Sequence, residues 1–295
     1  MTRTTLEATS AFYQASPAIR LFRLALGASQ RLWPGLAVRT ALRLFGTPLP
    51  PRWLNRARSL SPLWQPEAWP FESASITVYR LSVANEGPVV LLAHGWGGHA
   101  GQMLPLAEAL AEHGLQPVLV EMPAHGRSAG AVSNLPQFAR VLEYVAARLQ
   151  QISGEPLRAV VAHSLAANAA AFAASRGLST QRLVLLAPPA SPREYTRLFA
   201  HVFGLTETTR AAMQSRIEER EGVLMPQFEP EAVGPRVRMP TLVVHDQGDS
   251  INRFVDGQAF AHAVRGAELL ATEGLGHRKI LKDAGVISRV VMFAR

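Results

Sequence analysis

A chain of 295 residues without a single cysteine excludes disulfides, thiolate chemistry and any cysteine-ligated metal. Its 48% hydrophobic and 18% charged content excludes a disordered chain and supplies core for one large α/β domain or two small ones. The formal net charge of +8 lies entirely in residues 1–60, which hold nine arginines and one acid, Glu7; the rest of the chain is neutral, so the high isoelectric point is not a property of the whole surface.

Residues 17–45 read as one or two amphipathic helices. Ile19, Leu21, Phe22, Leu24 and Ala25, then Leu36, Val38, Leu42, Leu44 and Phe45, recur near helical spacing with arginines between them. Gly27 and Trp33-Pro34-Gly35 are the expected breaks. One reading packs these helices on the main domain with their arginines in water. The other is a peripheral membrane contact through residues 1–60. No nucleic-acid-binding module is legible, so no nucleic acid partner is expected. Arg3 is followed by no apolar stretch of signal-peptide length, and no apolar run approaches the roughly 20 residues that span a bilayer. A cytoplasmic location, with peripheral membrane contact as the variant, is the expectation. Thr47-Pro48-Leu49-Pro50-Pro51 reads as a stiff linker. It divides a basic helical extension, residues 1–60, from a body of residues 61–295, with Trp53, Trp64 and Trp69 anchoring the crossing.

The body alternates strands and helices. A strand at 76–83, a turn at 84–87 and a wholly apolar strand at 88–93 are followed by a helix at 103–113, a strand at 117–120 and a helix at 135–151. A buried strand at 159–162 runs into a helix of small residues. Further strands are expected at 183–186, 241–245 and 268–271, with helices at 253–264 and 283–294, and residues 192–236 read as helical and charged. This alternation predicts one doubly wound, mostly parallel α/β sheet, whose site should lie at the carboxyl ends of the strands.

The strand ends carry the chemistry. Ala162-His163-Ser164-Leu165-Ala166 joins strand to helix through a sharp turn with small residues at both outer positions, the layout of a nucleophile elbow. The plainer alternative is a serine N-cap on an ordinary helix. His94-Gly95-Trp96-Gly97-Gly98 follows an earlier strand, Asp246-Gln247-Gly248-Asp249 a later one, and Glu273-Gly274-Leu275-Gly276-His277 the last. A serine, an acid and a histidine therefore occur in that chain order, each beyond a strand end. A serine hydroxyl needs a base to take its proton, and the base needs a carboxylate to hold its tautomer. The chain has only four aspartates, and Asp246 and Asp249 are both in the acid loop.

Taken together, HGWGG at 94–98, GRS at 126–128, AHSLA at 162–166, HDQGD at 245–249 and GLGH at 274–277 resemble the α/β-hydrolase superfamily over roughly residues 72–295. The resemblance implies Ser164 as nucleophile, Asp249 as acid, His277 as base, and the backbone N–H groups of Trp96 and Leu165 as oxyanion-hole donors. It also implies a small helical cap at about residues 188–238. Alanines stand where the family has elbow glycines, which marks a divergent branch. Asp246 is the alternative acid. His163 and His94 are expected to brace the fold, His99 and His125 to lie at the surface, and Glu218, Glu219 and Glu221 to form a solvated face.

The function implied is a serine hydrolase cleaving a small carboxylic ester without a cofactor; no histidine spacing suggests a metal. The apolar cap and the glycine approach to Trp96 favour acyl chains of medium length. The alternatives are a hydrolase-fold membrane or partner-binding protein with a vestigial site, and a triad enzyme acting on an amide, thioester or C–C bond. Substrate-binding residues and oligomeric state have no sequence signal.

Overall fold

The computed structural model describes residues 17–49, 60–82 and 87–295. Arg3, Glu7, Trp53, Arg52, Arg56, Arg58 and the expected turn at 84–86 lie outside the described residues. By their contacts the described residues fall into two units, one within 17–47 and 191–227, the other within 48–190 and 228–295. Sequence reading instead places the boundary near residue 60 and the cap at 188–238.

The larger unit is built on an eight-stranded sheet: β1 (Trp64–Phe71), β2 (Ala74–Leu81), β3 (Val89–Ala93), β4 (Gln116–Glu121), β5 (Ala159–His163), β6 (Leu183–Leu186), β7 (Thr241–Asp246) and β8 (Glu268–Thr272), in the order β1-β2-β4-β3-β5-β6-β7-β8. β1 and β2 form a hairpin, β2 runs antiparallel to β4, and every later pairing is parallel. β3, β5 and β6 are buried at every position, as parallel strands covered on both faces must be, and this explains their unbroken apolar runs. The hairpin strand β1 is a departure from expectation. It holds Pro66 and Pro70, and sequence reading places no strand there, only Trp64 and Trp69 anchoring the crossing. The prolines are tolerated because β1 is the sheet edge, where an N–H facing outward needs no partner. Trp64 and Trp69 are buried and hold the hairpin to the body.

Helices α3 (Leu104–Glu112) and α9 (Ala284–Ala294) pack together on the sheet face formed by Val90, Leu92, Leu119, Val161, Val184 and Val244. Residues of opposite parity, such as Leu91, Val160, Leu185 and Val243, point to the other face. There α4 (Leu135–Ser153) packs on α5 (Leu165–Ser175), and α8 (Phe254–Ala263) lies on β7. The helix α5 can sit close because Ala166, Ala167, Ala169, Ala170, Ala171, Ala173 and Ala174 are all buried and small. Asn168 projects from the same helix. Its Nδ2 donates to the carbonyls of Pro189 at 2.8 Å and Phe228 at 3.2 Å. It therefore ties together the points where the chain leaves and re-enters this unit.

In the smaller unit, α1 (Pro17–Leu32), α2 (Pro34–Phe45), α6 (Pro192–Phe203) and α7 (Glu207–Glu221) surround a core of Ala41, Met213, Ile217 and Met225, with Phe45 and Phe199 edge to face at 5.2 Å. Gly27 does not interrupt α1; the break is at Trp33-Pro34 alone, where proline opens the second helix. Gln30 fastens the pair to the α6–α7 turn, donating to Gly204 O and accepting from Thr206 N. The expected solvated acid face of α7 is only partly so. Glu219 is exposed, whereas Glu221 pairs with Arg220 with its side chain 6% exposed, and Glu218 accepts from Met225 N.

Candidate active site

The strand order reverses between β3 and β5, since β4 lies on one side of β3 and β5 on the other. Loops leaving the carboxyl ends of these two strands diverge and leave a crevice. Ser164 and the loop 94–98 stand there. Asp249 follows β7 and His277 follows β8, on the same edge of the sheet.

Ser164 has φ 56° and ψ −125°, a left-handed backbone that an L-residue adopts at a cost of about 1–3 kcal/mol. Its N–H is held by Leu186 O at 2.8 Å, and its own carbonyl receives Ala167 N. The hydroxyl is thus presented at the apex between β5 and α5 instead of capping the helix; no cap hydrogen bond forms from its side chain. Gly95 makes this approach possible. A Cβ there would lie 2.7 Å from Ser164 Cβ and 3.2 Å from its Oγ.

The three sequence candidates come together. His277 Nε2 is 3.0 Å from Ser164 Oγ, and His277 Nδ1 is 2.7 Å from Asp249 Oδ2. Asp249 Oδ1 accepts from the N–H groups of Ile251 at 2.8 Å and Asn252 at 3.0 Å, so both carboxylate oxygens are satisfied inside the protein. Burial would raise this carboxyl, but the hydrogen bonds from His245 and His277, the charge of His277 and the Ile251 N–H outweigh it and hold its pKa far below the carboxylate range. Asp249 is a permanent anion. Asp246, the other acid, turns away: Thr272 Oγ1, Leu275 N and Gly248 N all donate to it, at 2.8 to 3.0 Å. It binds the base of the histidine loop.

Trp96 follows β3 and Leu165 is the first residue of α5. Among the described residues, the backbone N–H of neither has a backbone acceptor. Their loop is held from behind by histidines. His94 donates from Nδ1 to Gly95 O at 2.7 Å and accepts Met122 N–H at Nε2. His125 accepts Gly97 N–H at 2.9 Å and donates from Nδ1 to Pro123 O. His125 is therefore 2% exposed and structural, not the surface histidine its sequence context suggests. It packs edge to face on Trp96 at 5.2 Å. His163 donates from Nε2 to the carbonyl of His277 at 2.9 Å, with the two rings 4.7 Å apart, and so braces His277.

Sequence reasoning missed Asn252. Its Nδ2 donates to Ala187 O at 2.7 Å and lies 3.4 Å from Ser164 Oγ, while its carbonyl accepts from His245 Nε2. An asparagine three residues beyond an aspartate is ordinary turn chemistry, and nothing in its spacing points 88 residues back to the serine.

These buried histidines make the stability acid-sensitive. Burial lowers His125 to about 4; burial, then the neighbouring His277, lowers His163 to about 3; burial and His125 lower His94 well below its ordinary value. The unfolded chain takes up these protons near pH 6.5 and the native one does not. The stability they contribute is full above pH 6.5 and is lost as pH falls toward 4, by about 2–3 kcal/mol each for His125 and His163 at pH 4.5, with His94 acting in the same direction. Glu121, raised by burial, works in the opposite direction but is one group against three. Urea denaturation at pH 7 and pH 4.5 measures the difference; equal stabilities would contradict it.

Among the described residues, no three histidine, aspartate or glutamate side chains are grouped to hold a metal ion, and no helix is long and apolar enough to cross a membrane. A family model described as Hydrolase_4, serine aminopeptidase, S33, matches residues 85–233. The pimeloyl-[acyl-carrier protein] methyl ester esterase of Xanthomonas campestris pv. campestris is 45% identical over 49 residues, 17% of this chain. That match spans only 19% of the esterase. Among solved structures, an esterase of Pyrococcus furiosus has a TM-score of 0.61 at 16% identity, covering 80% of this chain and 95% of its own. A membrane phospholipase A, described as a bacterial virulence factor, has a TM-score of 0.58 at 16% identity, covering 92% of this chain and 94% of its own. At these identities the likeness is one of fold, and the fold is that of the α/β hydrolases.

Proposed function

The chain belongs to the serine aminopeptidase S33 family of hydrolases, and from that premise we propose that it cleaves carboxylic esters through an acyl-enzyme on Ser164. The observation that carries this reading is the unbroken chain of contacts from Ser164 Oγ to His277 at 3.0 Å and from His277 to the buried Asp249 at 2.7 Å. Neutral His277 takes the Ser164 proton as Oγ attacks the carbonyl carbon. Asp249 holds the Nδ1–H tautomer and stabilises the imidazolium. The oxyanion is received by the N–H groups of Leu165 and Trp96, each such donor being worth about 3–4 kcal/mol in the transition state. His277 then returns its proton to the leaving alkoxide, and water, deprotonated by the same imidazole, releases the acid. Asn252, beside Ser164 Oγ, steadies the hydroxyl in the resting site.

An ester rather than an amide substrate is supported by the esterases and the phospholipase among the similar proteins; the family description, which names an aminopeptidase, supports the amide. Stopped-flow hydrolysis of p-nitrophenyl esters decides. The expected result is a burst of p-nitrophenol stoichiometric with enzyme, and acyl mass on the peptide containing Ser164. Faster turnover of aminoacyl-p-nitroanilides than of any ester would give the site to amides. Absence of both would remove the hydrolase reading.

A further inference from the structure

The smaller unit carries an exposed surface that its own packing does not explain. Six consecutive residues at the corner between α1 and α2, Arg31, Leu32, Trp33, Pro34, Gly35 and Leu36, are all exposed. Leu32 is 64%, Trp33 61% and Leu36 47% exposed, and Leu24, two turns earlier, is 72% exposed. On a helix of 3.6 residues per turn, Leu24, Ala25, Ala28, Arg31 and Leu32 form one stripe, opposite the buried Leu26. The stripe, apolar except for Arg31, therefore continues into the corner as a single strip. Isolated exposed leucines are ordinary, but a contiguous strip with a tryptophan at its tip marks a contact surface.

The charge around the strip selects the partner. Arg31, Arg39 and Arg43 are exposed, and residues 17–47 contain no aspartate or glutamate. The remainder of the same unit is different: Arg197 pairs with Glu194, Arg210 with Glu207 and Arg220 with Glu221. Residues 191–227 hold five arginines and five glutamates, so the net positive charge of this unit's described residues is confined to the helices that bear the apolar strip. We propose that this corner docks on an anionic phospholipid surface, with Trp33, Leu32 and Leu36 entering the headgroup boundary and the arginines meeting lipid phosphates. Tryptophan favours that boundary because its ring is apolar and its N–H polar. α1 is 16 residues long, and no described helix can span a bilayer, so it lies on the surface. The docking does not depend on the catalytic reading.

Co-sedimentation of the full chain with phosphatidylcholine vesicles, with and without phosphatidylglycerol, tests the proposal. Binding is expected only to vesicles containing phosphatidylglycerol, weakening as salt is raised. Each arginine near an anionic surface contributes about a five-fold factor, so an Arg31→Gln, Arg39→Gln, Arg43→Gln triple variant should bind about 100-fold less. A Leu32→Ser, Trp33→Ser variant should lose binding at every salt concentration. All these side chains are exposed, and circular dichroism and melting should be unchanged. Wild-type protein that stays in the supernatant at low salt overturns the proposal, as does binding that neither variant alters. A wild-type dimer in light scattering that the Leu32→Ser, Trp33→Ser variant converts to monomer, without vesicle binding, assigns the strip to a second copy of the chain and also overturns it.

Discussion

Replacing Ser164 by alanine should lower kcat/KM for an ester substrate by roughly 10⁴–10⁶-fold while leaving the protein folded. The hydroxyl is the only group removed. The backbone that strains the residue to φ 56° is set by the Leu186 and Ala167 hydrogen bonds, which alanine keeps. Alanine loses a 3.0 Å contact to His277 and a 3.4 Å contact to Asn252, so a small change in melting temperature is expected. A fluorophosphonate probe should label wild type and not the variant. Labelling that persists would place the reactive group elsewhere; a variant with near-normal turnover would remove the acyl-enzyme mechanism altogether.

Asp249→Asn and Asp246→Asn should separate catalysis from architecture within one loop. Asparagine at 249 can no longer hold His277 in the tautomer that accepts the serine proton, and a loss of about 10³–10⁴-fold in kcat is expected. KM should change little, because no substrate contact is removed. At 246 the carboxylate accepts three hydrogen bonds from Thr272, Leu275 and Gly248, and an amide group can satisfy fewer of them. Each lost partner at such a site costs about 1–3 kcal/mol. Asp246→Asn should therefore lower stability to urea, with turnover reduced far less than at 249. If the two variants exchanged these phenotypes, Asp246 would be the catalytic acid and the geometry around His277 misleading.

Between these two aspartates lies the general boundary of what could be read in advance. Asp246 ends β7 and Asp249 lies three residues beyond it, with turn residues between them. Their positions in the chain say that an acid is available. Which carboxylate faces His277 depends on the turn from 246 to 249, in which Asp249 N donates to Asp246 O and the two side chains diverge. The resemblance to known hydrolases chose Asp249, and spacing alone left the choice open.

The sequence by itself determined the features that rest on local periodicity and turn chemistry. Continuous apolar runs marked β3, β6 and the body of β5, because strands covered on both faces are apolar along their middles, polar residues such as His163 entering only at the ends. Small residues around Ser164 marked the elbow, because only they let helix α5 start so close to the sheet. The order of serine, acid and histidine beyond strand ends marked the edge where the site lies. Only the tertiary structure decided the rest. β1 was hidden by prolines that a sheet edge tolerates. His125 became a buried acceptor for Gly97 N–H, and Asn252 reached Ser164, through contacts between segments far apart in the chain. The helices of residues 17–45 carried an amphipathic pattern, yet the pattern could not name the partner of their apolar side; α6 and α7 take it, and leave the strip from Leu24 to Leu36 uncovered. Local sequence states how a segment will fold, whereas a partner is chosen by which segments the closing sheet and its insertions bring within a few ångströms.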